Sequence, residues 1–93
     1  MTVGILTAEM LVPGARSLKD KRHAIKSLKD KLRSRFNVSV AEVDGHETWT
    51  RSTLAAVVVG VDGAYVKGVL AGVEKVLSTH RDAVLQRFQI RCC

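Results

Sequence analysis

SLKDKRHAIKSLKDKLRSRF, residues 17–36, is the stretch whose pattern decides the fold. At about 100° per residue, Leu18, Ile25, Leu28, Leu32 and Phe36 fall in one stripe, with Ala24 near its edge. That is an amphipathic helix laid against a core. Ser17, with Asp20 three residues on, opens it as a short-reach capping box, and the acid suits the positive helix end. Pro13 and Gly14 stop whatever element precedes it. Lys21 falls inside the apolar stripe in the first turn, and is expected to snorkel past the core edge rather than to act as a catalytic amine.

The polar side of this helix is cationic. Arg22, Lys26, Lys29 and Arg33 stand at i, i+4, i+7 and i+11 and form one row, with Lys19 nearby and Asp20 and Asp30 away from its centre. Residues 16–36 hold nine Lys or Arg against two Asp, a net +7 in a chain whose total is +6. Essentially all the positive charge is therefore in one segment. Like charges four residues apart destabilise an isolated helix by roughly 0.2–0.5 kcal/mol per pair, so stability alone would intersperse acids. Two readings of the row remain: a solvated face bridged to acids of neighbouring elements, or a strip that receives a polyanionic backbone.

Working outward, residues 2–12 read as a strand apolar on both faces, which places it centrally. Glu9 interrupts it and calls for a cross-strand partner such as an Arg. After the helix, residues 38–43 (VSVAEV) form a more polar, edge-like strand, and Asp44-Gly45 opens a turn. Residues 54–61 are a second doubly apolar strand. Asp62 caps a second helix over residues 63–79, where Val66, Val69, Leu70, Val73, Val76 and Leu77 keep helical spacing. Gly68 and Gly72 weaken that helix locally, and their spacing suits close packing on a sheet. Residues 84–92 are the last strand, with Phe88 and Ile90 on one side and Arg87, Gln89 and Arg91 on the other.

The order β-α-β-β-α-β, with the two doubly apolar strands in the middle, predicts an α+β ferredoxin-like domain spanning residues 1–93. Its antiparallel four-stranded sheet has the order 4-1-3-2, and both helices cover one face. The other face, with Val3, Ile5 and alternate residues of the third strand, is apolar enough to predict a two-fold homodimer through it.

Several functions are excluded or disfavoured. No apolar run is long enough to span a bilayer, the run at residues 54–59 being far too short. The first basic residue is Arg16, so no signal peptide is expected, and the expected compartment is the cytoplasm. Cys92 and Cys93 are adjacent and too few for a zinc cage. His23, His46 and His80 have no ligand spacing. Asp44, His46 and Glu47 read as a polar hairpin loop before a cation site, so no metal or cofactor is expected. The two central strands carry no aromatic residue, which removes the base-stacking mode of RNA-recognition sheets. Gly60-Val61-Asp62-Gly63 has the GxxG form of a phosphate loop, but its Asp opposes phosphate, and a turn with an N-cap explains it better. Trp49, flanked by Arg51, either covers the core or a dimer seam, or offers a stacking surface beside the basic helix. No acid–base or nucleophile constellation emerges, so a catalytic role is not expected.

The strings VGILTAEM, LVPGARSLKDKR and KSLKDKLRSRFNVSVAEVD, followed by Trp49-x-Arg51, resemble the bacterial YlxP-like family, a domain of unknown function. The resemblance runs over nearly the whole chain, with Gly45 and the Cys-ended tail as mild departures. It implies a ferredoxin-like fold, and no catalytic residues. Because genes of that family often lie beside those of translation initiation and small-subunit maturation factors, it also implies ribosome-associated or RNA-binding work. The functional expectation is a non-catalytic protein that docks on structured RNA, with small-subunit ribosomal RNA or its precursor the implied target. Arg16, Lys19, Arg22, Lys26, Lys29 and Arg33 would supply the phosphate contacts. The alternative is a dimeric protein-interaction or small-ligand module without RNA contact.

Overall fold

The computed structural model describes all 93 residues. They run as β1 (Thr2–Leu11), α1 (Leu18–Arg35), β2 (Ser39–Asp44), β3 (Arg51–Gly60), α2 (Gly63–Thr79) and β4 (Val84–Cys92). The sheet is antiparallel with the order β2-β3-β1-β4, the predicted order read from its other edge. β3 begins three residues earlier than the sequence suggests, because Arg51 and Ser52 continue the ladder opposite Leu11 and Met10.

Strand alternation sorts the side chains. Leu6, Ala8 and Met10 of β1 and Leu54, Ala56 and Val58 of β3 point toward the helices and are buried. Ile25, Leu28 and Leu32 of α1 and Val66, Leu70, Val73 and Leu77 of α2 close over them. The opposite face is uncovered. Val57 and Val59 are exposed there, opposite Ile5 and Val3. Glu9 finds the expected arginine: Arg87 stands across from it on β4 and donates to its carboxylate, which is the main cause of a Glu9 pKa below the usual range.

Both caps form as read. The Asp20 N–H donates to Ser17 Oγ over 3.1 Å, and the Tyr65 N–H donates to Asp62 Oδ1 over 2.9 Å. Asp20 returns its own carboxylate to the Arg16 N–H at 3.0 Å, one residue before the cap. Asp62 is thereby committed as a cap. Asp44 Oδ1 accepts from the Gly45 N–H, and Gly45 takes φ 83°, the left-handed region that favours glycine.

The pair Gly68 and Gly72 departs from expectation. On the α2 wheel both lie more than 100° from the sheet-facing stripe. Gly68 has open space where a Cβ would stand, and Gly72 backs onto the Phe36 ring at the end of α1 rather than onto the sheet. The glycine that does permit close sheet packing is Gly4, where a Cβ would lie 2.3 Å from Val66 Cγ1. No helix is long and apolar enough to cross a membrane.

Candidate nucleic-acid interface

α1 is anchored by its buried side, and that fixes what its outer side presents. Ala24, Ile25, Leu28 and Leu32 are buried, so the residues half a turn away face solvent. Acid in the first turn, with Arg33 and Arg35 in the last, agrees with the helix dipole. Arg22, Lys26 and Arg33 are exposed, and Lys29 is half-buried between them.

The row is not free of local partners. Lys26 Nζ lies 2.7 Å from Asp30 Oδ2, and Arg33 Nη1 lies 3.8 Å from Asp30 Oδ1. Arg33 also donates from Nη2 to the Val40 carbonyl at 2.8 Å, which ties the helix to β2. Asp30 sits about 40° from Lys26 around the helix, and long side chains close that gap. The hydrogen bond from Lys26 holds the Asp30 carboxyl below the usual range, with the charges of Arg33 and Lys29 adding to it. Lys26 keeps 74% and Asp30 53% of their side-chain surface. Such a pair is screened by water and easily exchanged. The side chains of Arg16, Lys19, Arg22 and Lys29 make no ion pair or hydrogen bond.

Lys21 is the clear correction. It does not snorkel: its side chain is fully buried, with Nζ 2.6 Å from Glu42 Oε2 and 2.7 Å from the Gly45 carbonyl. Ser52 Oγ donates to the same Glu42 oxygen over 2.5 Å. Burial raises the Glu42 pKa, but the hydrogen bonds from Lys21 and Ser52 outweigh it, and the carboxyl ends below its ordinary 4.5. This cation belongs to the interior, apart from the outer row.

Chain-distant residues of both charge signs meet at one end of α1. Between the β1–α1 loop, the first turns of α1 and the α2–β4 turn lies a cleft of about 500 Å³, lined in part by Lys19, His23, Asp20, Arg81 and Asp82. It sets Arg81, which lies 3.8 Å from Asp82, on the same cleft as Lys19 and Asp20, a grouping that spacing along the chain could not reveal. Trp49 is half-exposed and Arg51 is exposed. Their loop is tied to α1 by Lys21 and the Gly45 carbonyl, and to β1 by the Val12 N–H and the Thr50 carbonyl at 2.7 Å. His46 Nε2 lies 3.1 Å from the Glu42 carbonyl within this loop.

The family described as "Protein of unknown function (DUF503)" matches residues 3–90. Among curated proteins, the uncharacterized protein YlxP of Bacillus subtilis (strain 168) is 33% identical over 51 residues, 55% of this chain. The match likewise spans 55% of that relative's length. Among solved structures, the de novo designed protein Foldit4 superposes with a TM-score of 0.56 at 9% identity, covering 100% of this chain and 97% of that one. The de novo designed protein LFR1 1, with a ferredoxin fold, reaches 0.49 at 11% identity, covering 100% and 83%. At such identities the Foldit4 likeness concerns the fold alone.

Proposed function

We propose that this chain, which belongs to the DUF503 family, is a non-catalytic RNA-binding protein that docks on structured RNA through the outer face of α1. The observation that supports this reading is a charge distribution. A net +7 is concentrated in residues 16–36 of a chain with total +6, with only Lys21 among its cations buried and paired to Glu42, and Asp30 is the one carboxylate that reaches the exposed row.

Arg16, Lys19, Arg22 and Lys29 take phosphates directly. Lys26 and Arg33 exchange the exposed Asp30 carboxylate for phosphate oxygens, with Arg33 keeping one edge on Val40. Contacts of this kind position the RNA without reading its sequence. Counterions released from the phosphates drive them, so engaging about four phosphates makes log affinity fall with log salt at a slope of about −3. The first RNA to try is a structured fragment of small-subunit ribosomal RNA or its precursor.

The test is titration of that RNA across a salt series with the native chain and with the charge-reversed variant Arg22→Glu/Lys29→Glu. Those two side chains hold nothing else in the fold, so circular dichroism should be unchanged while binding is lost. Retention of affinity and salt slope by the variant overturns the reading. So does a lysate pulldown whose partners resist nuclease, which assigns the cationic row to an acidic protein instead.

A further inference from the structure

We infer that β4 is the seam of a homodimer, in which two copies join edge to edge into one eight-stranded antiparallel sheet. The inference is independent of the RNA reading. β4 is an edge strand, and eight of its nine residues are exposed. Edge strands of monomers are normally blunted by charged side chains, above all lysine, by proline, by bulges or by brevity. β4 is nine residues long without proline, lysine or an acid; of its two charges Arg87 is paired with Glu9, which leaves Arg91, and its register shift lies at Glu9/Met10, before Phe88. The opposite edge is guarded: β2 has six residues, carries Glu42 and Asp44, and is broken by a bulge between them.

The backbone of β4 is set for pairing. Val3 and Cys93 exchange both main-chain hydrogen bonds, at 3.0 and 2.8 Å. In an antiparallel ladder, hydrogen-bonded pairs recur every second residue. Arg91, Gln89 and Arg87 therefore spend their N–H and C=O groups on Ile5, Thr7 and Glu9 of β1. Phe88, Ile90 and Cys92 turn theirs outward. The side chains of Phe88 and Ile90 lie on the helix side, opposite Ala8 and Leu6, yet remain 45% and 37% exposed at the open edge. Donors, acceptors and apolar surface thus lie along one line.

Symmetry and charge select the register. A two-fold axis normal to the sheet pairs even-numbered with even-numbered residues, so that facing side chains share a side. An axis at Gln89 would set Arg87 opposite the partner's Arg91, like charge against like. An axis at Phe88 would force Gln86, beside the register shift at Glu9/Met10, into the new ladder. An axis at Ile90 avoids both. It places Gln89 opposite the partner's Arg91 and Phe88 opposite the partner's Cys92. Every outward group of Phe88, Ile90 and Cys92 is then used in both copies. The Val57–Val59 face is the competing surface for a second copy, but it supplies no unpaired main-chain groups, because β1 and β3 spend theirs on each other and on β4 and β2.

The experiment uses the full chain with Cys92→Ser and Cys93→Ser, so that disulfides cannot mimic association. Light scattering over a wide concentration range should give twice the chain mass at high concentration. Amide hydrogen exchange by NMR should then find Phe88, Ile90 and residue 92 protected, with protection lost on dilution. Ile90→Lys should yield a folded monomer whose three amides exchange freely, and Phe88→Lys is the second variant should that one fail to fold. A monomer at every concentration overturns the proposal. A dimer that leaves these amides unprotected, or that survives Ile90→Lys and dissociates on Val57→Lys, also overturns it and moves the seam to the open face.

Discussion

Lys21 Nζ lies 2.6 Å from Glu42 Oε2, and the lysine side chain that carries it is fully buried. The pair joins the first turns of α1 to β2, and through Ser52 it reaches β3. With the Gly45 carbonyl taking a second Nζ proton, the ammonium is held by two groups, one from β2 and one from the turn that follows it. The basic helix is thereby fixed over the β2–β3 half of the sheet, and its outer row faces away.

Removing one partner of a buried pair costs about 3–5 kcal/mol, because the other charge is left uncompensated. Glu42 keeps 14% of its side-chain surface, so Lys21→Met should fall near the lower end, at about 3 kcal/mol. The double variant Lys21→Met/Glu42→Leu should recover a large part of that loss, since no charge is then stranded. Urea unfolding of the two single variants and the double measures the coupling. Additive losses would mean that the ion pair does not act as a unit.

The same pair gives stability a defined pH dependence. Glu42 has a folded pKa below its ordinary 4.5, burial opposing the shift and the Lys21 and Ser52 hydrogen bonds overcoming it. The unfolded chain therefore takes up its proton first on acidification. The Glu42 contribution is fully present above about pH 4.5 and is lost as pH falls through the lower folded value. Glu9 and Asp30 shift in the same direction and add to the acid limb. The informative quantity is thus the difference between native chain and Glu42→Gln in unfolding free energy across the pH series. That difference should shrink steadily below pH 4.5, and a constant difference would remove Glu42 from the acid limb.

Two glycine substitutions should move stability in opposite directions. Gly4→Ala sets a Cβ 2.3 Å from Val66 Cγ1 and 2.8 Å from Leu70 Cδ1, inside the sheet–helix seam. Overpacking of this kind typically costs about 1–3 kcal/mol. Gly68→Ala meets nothing within 4 Å in the exposed middle of α2, and should stabilise by up to about 1 kcal/mol through helix propensity. Thermal unfolding of both variants checks the contrast. A stabilising Gly4→Ala would show that α2 rides higher over the sheet.

What the sequence revealed and what it hid divide along chain separation. The caps Ser17 and Asp62, the α1 and α2 stripes and the strand order rest on spacings within one element, or on which strands are apolar on both faces. Glu9 announced a partner because a lone acid in an apolar strand needs one, and the antiparallel register supplied Arg87. Lys21 was visibly misplaced in an apolar stripe, but its destination depended on Glu42 and Gly45, which β2 and its turn bring under the helix. The cleft that Arg81 and Asp82 share with Lys19 and Asp20 depends likewise on the meeting of two loops at one end of the sheet. An isolated glycine inside a strand signals a close backbone approach, and on that rule Gly4 could have been found.

Asp30 distinguishes the RNA reading from a purely structural account of the row. Its carboxylate holds Lys26 at 2.7 Å and touches Arg33 at 3.8 Å, both on the surface proposed for phosphate. If phosphates compete with this carboxylate, Asp30→Asn frees two cations, removes one repulsive charge and should tighten RNA binding about two- to threefold at low salt. The gain should fade as salt rises, because it is electrostatic and the site is open to water. A row that serves only the fold responds differently: Asp30→Asn would lower the thermal midpoint slightly and leave affinity unchanged. Measuring both in the same preparation separates the two, and unchanged or weakened RNA binding in Asp30→Asn would remove Lys26 and Arg33 from the proposed contact surface.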